Sequence, residues 1–143
     1  MKTKLIPLFV LLLFAGCQSK SKTSPEQQPL VGTDRDAKGC IGSAGYVWSD
    51  LRQECIRPFE AGIALQPAHT TPGQAVFAAY LVFAQDSGKV EVFMQDGKNV
   101  ILDRLTNVPE NNIWQNGQQK LVVSKTANEW NISQNGTVVY LKK

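Results

Sequence analysis

Hydrophobic and polar positions divide the chain into three regimes. Residues 5–16 form an apolar run broken only by Pro7, whereas residues 18–33 are rich in Ser, Lys, Gln and Pro and hold no aromatic. From residue 74 onward, short apolar runs alternate with turn-forming pairs every eight to twelve residues. That spacing predicts an antiparallel all-β domain. Strands are expected over 76–84, 90–94, 100–102, 121–124, 130–133 and 138–141, with one more over 63–66. The 76–84 run is apolar on both faces, as a central strand would be. Turns are predicted at Asp86-Ser87-Gly88, at Asp96-Gly97 as a two-residue hairpin, at Asn116-Gly117, over 125–128 and at Asn135-Gly136. Residues 106–112, with Pro109 and three asparagines, read as the longest loop of this half.

No segment sustains a 3.6-residue period with caps, so any helix is short. Seven or eight short strands in about a hundred residues predict a small antiparallel meander closing into a barrel or sandwich, an arrangement that removes exposed edges.

Residues 39–60 break the pattern with a dense set of glycines and two cysteines. Tyr46-Val47-Trp48 alternates like a strand, residues 49–53 can turn, and Cys55-Ile56-Arg57 can return beside it. Pro58 ends that pairing or places it at an edge.

The amino terminus reads as an address. Met1-Lys2-Thr3-Lys4 is a basic start, and the twelve residues that follow fall short of the ~20 needed to span a bilayer. Leu13-Phe14-Ala15-Gly16-Cys17 resembles the lipobox of bacterial lipoproteins, with Phe14 where that family most often has leucine. The resemblance implies cleavage after Gly16 and a mature amino terminus at Cys17 carrying a thioether diacylglyceryl group and an amide-linked acyl chain. Gln18 in place of aspartate implies attachment to the outer membrane, facing the periplasm. Residues 17–33 then form a tether, whose sixteen residues after the cysteine give a coil of about 20 Å r.m.s.. With Cys17 assigned to lipid, Cys40 and Cys55 remain as one natural pair, which suits an oxidising compartment. Closing that loop contributes on the order of 3 kcal/mol.

The stretch Gly39-Cys40-Ile41-x-Ser43-Ala44-Gly45-Tyr46-x-Trp48, followed by Cys55-Ile56-Arg57-x-Phe59-Glu60, resembles a module of small secreted bacterial proteins and lipoproteins. It covers about a sixth of the chain and brings location and a disulfide, but no activity. Tyr46, Trp48 and Arg57 are a candidate recognition patch, since such residues dominate interface hot spots. The competing expectation packs Trp48 over the disulfide and pairs Arg57 with Glu54 or Glu60. Cysteines with fourteen residues between them are expected to be structural, not a redox pair.

At 143 residues there is room for one domain, residues 34–143, with the cysteine module over 34–62 and the meander over 63–143. The formal charge of +3 loses Lys2 and Lys4 with the leader, leaving 13 basic against 12 acidic residues and no basic cluster. Nucleic acid is therefore not an expected partner.

The lone histidine, His69, lies in a Pro/Thr/Gly loop and reads as solvated; it cannot build a histidine metal site, and no metal or cofactor is expected. No nucleophile-elbow motif accompanies any serine. Glu91, Asp103 and Glu110 could in principle supply a carboxylate pair for glycoside chemistry, but strand-face carboxylates of this kind are expected to be solvated.

The sequence thus points to a lipid-anchored, non-enzymatic binding module of the envelope, held to the membrane through Cys17. Its partner is an envelope protein or a small ligand. Residues 92–102, with their Asp-Gly-Lys turn, are loosely similar to membrane-bound inhibitors of c-type lysozyme, themselves small β-barrel lipoproteins. The Ser-Gly-x-x-Tyr stretch and the last-strand cysteine of those inhibitors are missing. An inhibitor of an envelope-directed enzyme and a structural subunit of an envelope complex are the rival expectations.

Overall fold

The computed structural model of the chain describes residues 34–108, 112–117, 120–127 and 129–142. Cys17, the lipobox and the tether lie outside these residues. Ten strands form. Val47–Ser49 (β1) and Glu54–Ile56 (β2) pair as a hairpin. Ile63–Pro67 (β3), Ala79–Phe83 (β4), Lys89–Phe93 (β5), Asn99–Arg104 (β6), Ile113–Asn116 (β7), Leu121–Thr126 (β8), Glu129–Gln134 (β9) and Thr137–Lys142 (β10) close into an antiparallel barrel. Each barrel strand pairs with its sequence neighbours, and β10 returns to β3 through Tyr140 opposite Pro67 and Leu141 opposite Gln66. The eight-stranded closed form is the barrel, not the sandwich.

Alternation places one set of side chains inside. Leu65, Ala79, Leu81, Val90, Val92, Val100, Leu102, Trp114, Leu121, Val123 and Ile132 form one continuous buried cluster. An eight-stranded barrel is just wide enough for such residues to fill, and here they fill it.

Several boundaries differ from those the sequence predicts. The apolar run over 76–84 is not one strand: β4 begins at Ala79, and Val76 and Phe77 stand exposed in the preceding loop. They lack a pairing partner, because β3 ends at Pro67, which donates no N–H to extend the ladder. The β5–β6 connection is a five-residue loop over 94–98, not a two-residue hairpin. The Gly97 N–H bonds the Met94 carbonyl, and Asp96 accepts the Lys98 N–H. Strand β7 completes the barrel where no strand is predicted; its four residues carry two amides, and Trp114 is its buried inward member. At Asn135-Gly136 the expected two-residue turn forms between paired Gln134 and Thr137, with φ of 51° and 81°.

The cysteine module packs outside the barrel. A 3₁₀ turn at Gly42–Ala44 precedes β1, and the four-residue helix Pro58–Ala61 (α1) follows β2, with Pro58 at its start, where a missing N–H costs nothing. The Cys40–Cys55 disulfide ties the arm before β1 to β2. Among the described residues no helix is long and apolar enough to cross a membrane.

Candidate functional site

The hairpin is held to the barrel by one buried carboxylate. Glu91 lies at an outward position of β5 and is fully buried beneath the β1–β2 turn. Its Oε2 accepts the Ser49 hydroxyl, Oε1 accepts the Asp50 N–H at 3.0 Å, and the Leu51 N–H reaches Oε2 at 3.3 Å. Ser49 Oγ in turn accepts the Arg52 N–H at 3.0 Å. The expectation of a solvated Glu91 is therefore wrong. The neighbouring hairpin covers this strand face and supplies the donors that make burial of a charge tolerable. Asn99 on β6 adds a bond from its amide to the Trp48 carbonyl at 2.9 Å. Beside these polar ties, Ile56 packs on Val82 and Phe93, flanked by Ala61 and Tyr80, as a second small core between module and barrel wall.

This docking takes Glu91 out of the carboxylate pair considered from sequence. Both Glu91 oxygens are engaged by the hairpin, and Asp103 is paired with Lys89 across β5 and β6 on the outer wall. Glu110 lies outside the described residues. His69 is exposed in the loop between β3 and β4. Among the described residues no group of three or more His, Cys, Asp or Glu side chains could hold a metal ion.

The candidate recognition patch is brought together on the module, but each member is already engaged. Trp48 sits opposite Cys55 in the hairpin, its indole N–H bonds Asp50 at 2.9 Å, and the Lys38 ammonium lies 5.1 Å from its ring centroid. The Arg57 guanidinium lies 4.5 Å over the Tyr46 ring, bonds the Ala44 carbonyl at 3.0 Å and pairs with Glu60 at 2.9 Å. The Arg57–Glu60 pairing is the competing expectation realised. The three residues form a half-buried aromatic and cationic face on the side of the hairpin turned from the barrel. Gly45 enables part of it: at φ 80° it adopts a left-handed conformation, and a Cβ there would meet the Phe59 ring at 2.9 Å.

A second feature went unrecognised in the sequence. Between the hairpin and the barrel runs a groove of about 470 Å³, with Val47, Val76, Phe77, Tyr80, Phe93 and Met94 among its lining residues. Three of the five large hydrophobic side chains that stand exposed on the described surface, Val47, Val76 and Phe77, lie in this groove. Gln66, Gln95 and Asn99 supply its polar members, and among the described residues no charged one lines it. The available signal was the conflict at residues 76–77, apolar and β-prone yet following a Pro/Gly loop. No protein-family model, no curated protein and no solved structure matches the chain.

Proposed function

We propose that the protein is a non-enzymatic binding module of the cell envelope, tethered by lipid on Cys17, that takes a segment of a protein partner into the seam between hairpin and barrel. The observation that carries this reading is the contrast between a filled interior and an open seam. The middle of the barrel is occupied by its own side chains. The groove offers apolar side chains and uncharged amides, which suit the apolar residues and backbone hydrogen-bonding groups of a polypeptide. Tyr46, Trp48 and Arg57, on the other side of the same hairpin, extend the available surface with residue types that anchor interfaces.

Membrane attachment supplies the remaining logic. A lipid on Cys17 would confine the domain near its membrane and raise its effective concentration toward membrane-bound partners. Replacing Cys17 by Ser is expected to move the protein from the membrane to the soluble fraction; unchanged membrane association would overturn the anchor.

For the partner, a photo-crosslinking residue at Phe77 is expected to capture a discrete protein in intact envelopes, and one at Val138, exposed away from the groove, is not. Phe77→Glu should remove an independently detected complex while leaving stability within about 0.5 kcal/mol, as for other surface changes. Equal capture from both positions would overturn the groove. An enzyme as the captured protein would make the module an inhibitor, and lysozyme can be tested directly by activity assay; a multiprotein assembly would make it a subunit.

A further inference from the structure

The connection between β3 and β4 ends in a stretch of unpaired backbone. Residues 75–78, Ala-Val-Phe-Ala, lead directly into β4. Among the described residues, none hydrogen-bonds to their backbone N–H or carbonyl groups. Both flanks explain this. On the β3 side the ladder pairs Leu65 with Ala79, and two residues further the same register would set Pro67 opposite Phe77. Pro67 has no N–H to give, and it pairs with Tyr140 of β10 instead. On the β5 side Tyr80 pairs with Phe93, and there the chain turns away, the Gly97 N–H bonding the Met94 carbonyl. Residues 75–78 therefore lie beyond the point where either neighbour accompanies β4.

The same residues lack what usually protects a free edge. Natural edges are guarded by a lysine, a proline or an inward charge, and residues 75–78 carry none of these. Val76 and Phe77 are about half exposed, at 53% and 46%. With Ala78 they line the seam groove, together with Val47 of the hairpin. Unpaired backbone and apolar side chains thus coincide in four residues. Together they specify the form of an occupant, which an apolar groove alone would not.

We infer that the seam takes its partner by strand addition. An extended segment of another protein pairs its backbone with residues 75–78 and lays alternate apolar side chains into the groove. This rests on the groove being the partner site and adds the form of the bound segment. Backbone pairing supplies affinity in this mode, and the contacts of alternate side chains supply selectivity. Among the described residues no charged one lines the groove. A charged side chain of the partner turned into it would therefore lose its water without gaining a counter-charge. The bound segment is uncharged at its inward positions.

The test uses the chain from residue 17 onward carrying Cys17→Ser, which keeps every described residue. The probe is a displayed library of random nonapeptides, selected on this chain and counter-selected on its Phe77→Glu variant. The expected result is a set of peptides with apolar residues at alternate positions and no charge between them. The parent should bind them roughly tenfold or more tightly than Phe77→Glu does. Adding the strongest peptide should slow hydrogen–deuterium exchange at the amides of residues 75–78. N-methylating alternate amides of that peptide removes donors from one edge and keeps the side chains. One alternation should weaken binding by roughly tenfold or more, and the other should be tolerated. Peptides that leave those amides unprotected, or that bind equally in both methylated forms, would overturn strand addition and leave the groove as the site. No peptide favouring the parent would also overturn strand addition, and the groove then stands or falls by capture at Phe77 in envelopes. A dimer of the free chain in sedimentation, dissolved by Phe77→Glu, would give the edge to a second copy and overturn a separate partner there.

Discussion

Glu91 is the residue on which the relation between module and barrel turns. A carboxylate in an outward strand position normally faces water, and here both oxygens are taken by donors from a single turn. Removing it leaves the Ser49 hydroxyl and two backbone N–H groups buried without an acceptor. Glu91→Ala is therefore expected to destabilise the protein by on the order of 3 kcal/mol in urea unfolding. Glu91→Gln keeps the shape but turns an amide N–H₂ toward existing donors, so it should recover only part of that loss. Ser49→Ala removes one donor together with its own acceptor role toward Arg52, and about 1 kcal/mol is expected. A Glu91→Ala variant as stable as the parent would mean that the hairpin is held by its apolar contacts alone.

Among the elements, the hairpin and the β9–β10 turn make separate predictions. The Cys40–Cys55 bond closes a short loop that lies outside the barrel core. A Cys40→Ala/Cys55→Ala variant should lose about 3 kcal/mol yet keep the far-ultraviolet signature of the barrel. Loss of that signature would show that module and barrel fold as one unit. At Gly136, φ of 81° lies where a β-branched side chain is strained. Gly136→Val is expected to cost about 1–2 kcal/mol in thermal or urea unfolding. Asn135, also left-handed, should tolerate replacement by Gly with little change.

For the whole molecule, closure is the decisive contact. β10 joins β3 across more than seventy residues of sequence, and without it both β9 and β3 would present open edges. Deleting residues 137–143 is expected to abolish cooperative unfolding in a thermal scan, since the core would lose one wall. A cooperative transition retained in that deletion would mean that an open seven-stranded sheet suffices. Pairings of this range also place folding of the intact chain in the millisecond-to-second range, which stopped-flow refolding would measure.

Local chemistry made much of this legible in advance. Alternating apolar positions and turn pairs such as Asn135-Gly136 act through neighbouring residues, so most of the strands, their antiparallel order and the shortness of any helix followed from the chain itself. The cysteine hairpin and its disulfide were readable for the same reason, since β1, its turn and β2 are contiguous. Tertiary structure decided what depends on distant partners. It buried Glu91 under a turn some forty residues earlier in the chain, left Val76 and Phe77 without a strand to pair with, and completed the barrel with β7. It also gathered Phe83, Arg104, Trp114, Lys125 and Trp130 from five strands at one mouth. Strand pattern gives the face on which a side chain stands; only closure of the sheet fixes what stands opposite.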